Sequence, residues 1–265
     1  MVWWVMLLIR FAIMVIMGLF SQLSLAEEFC VATAAELQNA LTTAQDNGED
    51  DTVQIVQGSF AGNYAHISSE NYALSILGGF DEECNSRVTD PGSTILDGNH
   101  VGRTIALVGA SNIVDFYLDG VTIKNGKILK DSGEGGGASI VTDGVATVTN
   151  NHFINNSTLI DGFFNYSGAL KVSGNSVVLT DNYFSGNYSD HGVISVSGES
   201  TISNNIIEDN FSCGLIIARD SPAIITKNTI ARNNGLVCGG ISLSSSATLT
   251  GNTVSNNTSS HSTGG

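Results

Sequence analysis

Thr180-Asp181-Asn182-Tyr183-Phe184, Ser203-Asn204-Asn205-Ile206-Ile207 and Thr226-Lys227-Asn228-Thr229-Ile230 are one phrase written three times. Earlier in the chain the same phrase reads Thr149-Asn150-Asn151-His152-Phe153, and later Thr250-Gly251-Asn252-Thr253-Val254. From Asn151 to Asn182, Asn205, Asn228 and Asn252 the steps are 31, 23, 23 and 24 residues. A second column stands five residues further on, at Asn156, Asn187, Asn210, Asn233 and Asn257. Between the phrases lie glycine-led runs at 168–172, 192–196, 214–218 and 239–243, with a less regular copy from Gly136. The second and fourth residues after each glycine are apolar, and a period of two places them on the core side of a strand.

One such unit buries too little to be stable alone. Units therefore stack, each strand pairing with its copies above and below at about 4.8 Å. The fold expected is all-β: a right-handed parallel β-helix, a solenoid with about 23 residues per coil. Aligned Asn side chains then form ladders inside the turns, bonding one another and tolerating the left-handed backbone that turns require. Asn187-Tyr188-Ser189 and Asn210-Phe211-Ser212 also read as glycosylation sequons, which turn composition explains without a glycan.

Upstream of the repeats, Thr33-Ala34-Ala35-Glu36 has capping-box spacing. Leu37, Ala40, Leu41 and Ala44 then form an apolar stripe at helical spacing. The predicted organisation is a signal peptide at 1–26, a cap at 27–51 including this helix, and a β-helix over 52–265. Strand-like runs stand at 52–56, 74–77, 94–96, 104–108 and 121–123. No second lid is legible at the far end, so the last coil is expected to pack on further chain or on a partner.

The signal peptide rests on Arg10, the apolar run 11–20 and the small-x-small site Ser24-Leu25-Ala26. A secreted protein, extracellular or on the outer cell surface, is expected, with no transmembrane segment after cleavage. Lys+Arg 10 against Asp+Glu 25 gives a net charge of -15, which repels phosphate backbones and argues against nucleic acid as a partner. Four Cys permit three disulfide pairings in an exported chain. Cys213 with Cys238 follows from the coil register, each preceding a strand-opening glycine, and Cys30 with Cys84 follows by elimination.

The signal peptide, the 34–44 helix, the Gly78-Gly79-Phe80 and Leu96-Asp97-Gly98 turns and the Asn-x-Phe/Ile coils resemble bacterial right-handed β-helix repeat proteins. That group belongs to the pectate-lyase-like superfamily and includes relatives of polymorphic outer-membrane proteins. The resemblance implies the fold. Its members range from polysaccharide lyases and hydrolases to adhesins and surface passengers, so it implies no single activity.

Function is sought where the repeat is interrupted. The excursions 125–136 and 156–168 are long and leave the same corner of successive coils. The first offers Lys127, Lys130, Asp131 and Glu134, and the second Asp161, Phe163, Phe164 and Tyr166. Aromatic rings beside carboxylates suit carbohydrate, because rings stack on sugar C–H faces while carboxylates accept hydroxyl hydrogen bonds. These eight residues are the candidate ligand site, and an extracellular polysaccharide or surface glycan is the candidate partner.

No catalytic residue, cofactor or metal ligand is assigned. Asp143, Glu199 and Asp220, with Arg219, do not converge, and they read as a solvated acidic face. The run Asp46-Asn47-Gly48-Glu49-Asp50-Asp51 lacks calcium-loop spacing and reads as a connector. The expected function is therefore a non-catalytic, adhesin-like or glycan-binding surface protein. The alternative is a polysaccharide lyase or glycoside hydrolase acting at the same corner, with Asp131, Glu134 and Asp161 as candidate carboxylates.

Overall fold

The computed structural model describes residues 26–129, 135–159, 167–217, 221–236 and 238–260. The first 25 residues of the signal peptide assignment lie outside the described residues. Among those described, no helix is long and apolar enough to cross a membrane.

Each coil contributes strands to three faces, and every ladder between coils is parallel. One face is an eight-stranded sheet in which Gly58–Ala61, Thr94–Asp97, Thr122–Lys124, His152–Ile154, Tyr183–Ser185, Ile206–Glu208, Thr229–Ala231 and Thr253–Ser255 follow one another in chain order. Three-residue strands present one side chain inward, and here Phe153, Phe184, Ile207 and Ile230 stack in a buried column. The Phe153 and Phe184 rings lie 4.7 Å apart and 5° from coplanar, so the coil spacing doubles as a ring-stacking distance. The other two faces form one sixteen-stranded sheet, because Ser167–Thr180 and Tyr188–Ser203 run round the corner without a break. Ile105, Ala138, Leu170, Ile194 and Leu215 are its inward column on one face, and Phe116, Ala146 and Val177 are on the other.

Parallel strands leave turn backbone that must be satisfied inside the coil, and the two Asn columns do this. Asn205 is buried, and its Nδ2 lies 2.9 Å from Leu179 O in the previous coil, 3.1 Å from Ser203 O in its own, and 2.9 Å from Asn228 Oδ1 in the next. Its Oδ1 accepts from the backbone N and the Nδ2 of Asn182, each at 3.0 Å. The second column repeats the pattern: Asn210 Nδ2 donates to Phe184 O at 3.1 Å and to Asn233 Oδ1 at 2.9 Å. Both ladders run unbroken from Asn151 and Asn156 to Asn252 and Asn257.

Two details differ from the sequence reading. The left-handed backbone falls on the residue before each ladder Asn: Asn150, Asp181, Asn204, Lys227 and Gly251 in the first column, and Asn155, Gly186, Asp209, Arg232 and Asn256 in the second. In the third glycine-led run, Cys213 and not Gly214 pairs with Gly192. Leu215 and Ile217 are therefore the buried residues, while Ile216 turns outward beside Ser195.

At the first coils, α1 (Ala34–Thr43) begins at Thr33, whose side chain accepts from Glu36 N at 3.2 Å, while Glu36 Oε2 accepts from Ala32 N at 2.9 Å. Leu37 and Leu41 are fully buried. Gln38 treats the outermost strand on its face, Tyr64–Ile67, as a sheet neighbour would: its Nε2 donates to Ala65 O at 2.9 Å and its Oε1 accepts from Ala65 N at 3.0 Å. An edge strand is thereby protected. Glu27–Val31 adds a further parallel rung beside Asp51–Val56. Cys30 is bonded to Cys84 and Cys213 to Cys238, with Cα separations of 5.8 and 4.9 Å.

Replacing Asn205 by Ala removes the acceptor of the buried Asn182 backbone N–H and the side-chain donor to the Leu179 carbonyl. Chemical denaturation is expected to show a loss of about 2–4 kcal/mol. Asn252→Ala, in a coil whose ladder residue is only part-buried, should cost visibly less. Equal losses at the two sites would contradict the ladder's role.

Candidate functional site

The residue after each Asn of the second column must point outward, because side chains alternate along a strand and the Asn points in. Those residues stack as Ser157, Tyr188, Phe211, Asn234 and Thr258, one per coil, and Lys127, which follows Gly126 in the coil before, pairs with Ser157 at their head. Each from Ser157 onward hangs from the coil before it. Tyr188 N donates to Asn156 O, Phe211 N to Asn187 O and Asn234 N to Asn210 O, all at 2.9 Å.

Where the column elsewhere offers small or polar side chains, Tyr188 and Phe211 bring two aromatic rings into adjacent coils, 40% and 59% exposed. Leu129, Leu159 and Leu236, two residues beyond their column members, are exposed as well. The result is an apolar strip running along the coil axis on the corner from which the long excursions leave. Asp190 flanks it, and Tyr188 Oη donates to Asp190 Oδ1 at 3.4 Å. Partial burial and the adjacent carboxylate push the Tyr188 phenol above its ordinary range.

Beneath the strip the alternation turns Ser189 and Ser212 inward, with their Oγ atoms 3.1 Å apart in a buried contact. Both the Asn and the Ser of each sequon thus face the interior, and Asn187 and Asn210 are 0% and 1% exposed. The folded coil presents neither amide to a glycan-transferring enzyme.

Of the eight residues read as the ligand site, Lys127 is described. It sits half-buried at the N-terminal end of the column, opposite Ser157. Lys130, Asp131, Glu134, Asp161, Phe163, Phe164 and Tyr166 lie outside the described residues, as do Arg219 and Asp220. Their strands do come together: Lys127–Leu129 pairs in register with Ser157–Leu159. Tyr188 and Phe211 were not picked out from the sequence, where they stood as the middle letters of two sequons.

Other charged groups serve the scaffold. Arg87 donates to Gly78 O at 2.8 Å and Asp119 O at 3.1 Å, pairs with the Asp119 carboxylate at 3.0 Å, and lies over the Phe80 ring. Arg232 holds Asp209 through two contacts of 2.8 Å and reaches Glu208 at 2.8 Å. His152 is half-buried edge-on against Tyr183 at 5.5 Å, and burial lowers its pKa. Glu199 borders a shallow groove of about 290 Å³ on a different face, with Thr201, Pro222, Ile224, Ser246 and Thr248.

The connector read at 46–51 ends in an unusual residue. Asp51 begins a strand on its inward phase and is 3% exposed, with oxygens of Glu27 and Glu49 within 4.8 Å. Asn47 Nδ2 donates to Asp51 Oδ1 at 2.8 Å. Burial pushes the Asp51 carboxyl up to about 6, the carboxylates of Glu49, Glu27 and Glu70 add to this, and the Asn47 hydrogen bond opposes it.

A closed stack of parallel three-faced coils, registered by buried Asn columns, defines the parallel β-helix class. The chain belongs to the family described as right handed beta helix region, which matches residues 103–265. That span holds the regular coils and both Asn columns. Comparison with curated proteins finds no match. Among solved structures, the alginate lyase from Paenibacillus sp. str. FPU-7 is similar at 10% identity and a TM-score of 0.40, over 88% of this chain and 98% of that one. A likeness so remote says nothing about activity.

Because the folded state holds the Asp51 proton more tightly than the unfolded chain, its contribution is fully present below the ordinary value of 3.8 and is lost as pH rises through about 6. Asp51→Asn, uncharged at any pH, is expected to unfold at a higher temperature than the parent above pH 6 and at a similar one near pH 4. The comparison cancels His66, whose burial lowers its pKa and whose contribution is lost in the opposite direction, as pH falls below 6.5. Parallel melting curves across the whole range would contradict the assignment.

Proposed function

We propose that this chain is an extracellular or cell-surface β-helix that holds a polysaccharide or surface glycan on the Tyr188–Phe211 strip without transforming it chemically. The observation that carries the reading is the pair of exposed aromatic rings in adjacent coils, flanked along the same corner by exposed Leu159 and Leu236. Leaving such surface in water is unfavourable, and a contiguous apolar strip rimmed by polar groups marks a contact site. Rings with a neighbouring carboxylate at Asp190 suit a sugar's apolar and hydroxyl faces. Two disulfides fit an oxidising compartment.

A glycan-array screen should give binding that Tyr188→Ala or Phe211→Ala weakens roughly tenfold while leaving the melting temperature within a few degrees. Incubation with uronate polymers and Ca²⁺ should release no unsaturated sugar ends. Release of such ends by the purified chain would replace this reading with the lyase one.

A further inference from the structure

The chemical class of the ligand follows from charge, and this step rests on the glycan-binding reading above. We propose that the strip takes an uncharged polysaccharide, laid along the coil axis, and discriminates against polyuronates and other polyanions. The strip extends over four consecutive coils, from Leu159 through Tyr188 and Phe211 to Leu236. At the spacing of parallel strands it is about 14 Å long, enough for several linked sugars in a row. Because its members stack vertically, a bound polymer runs along the axis and meets a ring in each of the two central coils and a leucine in each of the outer two.

A polyanion would need cations here. Among the described residues, Lys127 stands at the N-terminal end of the column, two coils from Tyr188 and three from Phe211, about 10 and 14 Å away, so at the ring pair its charge is largely screened over the ~10 Å that exposed charges reach in moderate salt. Arg232, across the corner from the ring pair, already has its guanidinium held by two contacts from Asp209 and one from Glu208. Among the described residues, the charge bonded to the ring pair is the Asp190 carboxylate, which repels a uronate. From Asn233 onward the chain contains no Asp, Glu, Lys or Arg, so the far end of the strip is neutral. The whole chain, at -15, adds a long-range field against any polyanion. Recognition therefore falls to ring stacking and hydroxyl hydrogen bonds, which salt leaves intact.

The test is depletion of the full chain from solution onto immobilised polymers. Hydroxyethylcellulose and galactomannan serve as uncharged probes, and polygalacturonate and alginate as polyanions, each at low and high salt. The expected result is retention on at least one uncharged polymer, unchanged by salt and weakened roughly tenfold by Phe211→Ala or Tyr188→Ala. Ile206→Ala, exposed on another face, should retain parental binding. Retention on polyuronate that fades with salt but still depends on Phe211 would overturn the uncharged-ligand inference and leave the glycan site standing. Retention indifferent to both ring variants, or none on any polymer, would overturn the site itself.

Discussion

The buried asparagine amide is the contact on which the rest of this molecule depends. A strand ladder alone fixes the spacing of coils but tolerates slippage by two residues, since inward side chains would still point inward. An amide whose nitrogen reaches the previous, the same and the next coil, and whose oxygen accepts from a backbone N–H, tolerates none. With two such columns five residues apart, the short strand between them is clamped at both ends. This locks the phase of everything that follows in the coil.

That phase is what turns sequence into surface. Because Asn187 and Asn210 point in, Tyr188 and Phe211 point out, and because the ladders are in register the two rings occupy neighbouring rungs. The same logic buries the sequon serines. Constraint and function are therefore separable along the repeat. The ladder positions carry stability, and the positions just after them are free to vary from coil to coil. Here they run from Ser through Tyr, Phe and Asn to Thr.

Much of the architecture was legible because a period of about 23 residues repeats both an Asn and an apolar alternation. What escaped did so for local reasons. Left-handed turn residues were assigned to the ladder Asn, since Asn favours that conformation. The left-handed backbone instead stands one residue upstream, including at Lys227 and Arg232, residue types that no propensity would suggest there. Glycine alignment misplaced the third run because Cys213 occupies the place of Gly192, a slip visible only in the pairing itself. Strands at Glu27–Val31, Gly58–Ala61, Tyr64–Ile67 and Phe116–Asp119 lack an Asn column to align on. The aromatic strip has no signature in loop composition, because register alone brings Tyr188 beside Phe211.

Cysteine proximity measures that register directly. In the double variant Tyr188→Cys/Phe211→Cys, the two Cα atoms stand one rung apart, inside the range a disulfide spans. In Tyr188→Cys/Asn234→Cys they stand about two rungs, roughly 10 Å, apart and outside it. Peptide mapping under mild oxidation should find an intramolecular bond in the first and none in the second, with the native pairs Cys30–Cys84 and Cys213–Cys238 intact. Bonding in the second pair in preference to the first would mean that the coils are not stacked in this register.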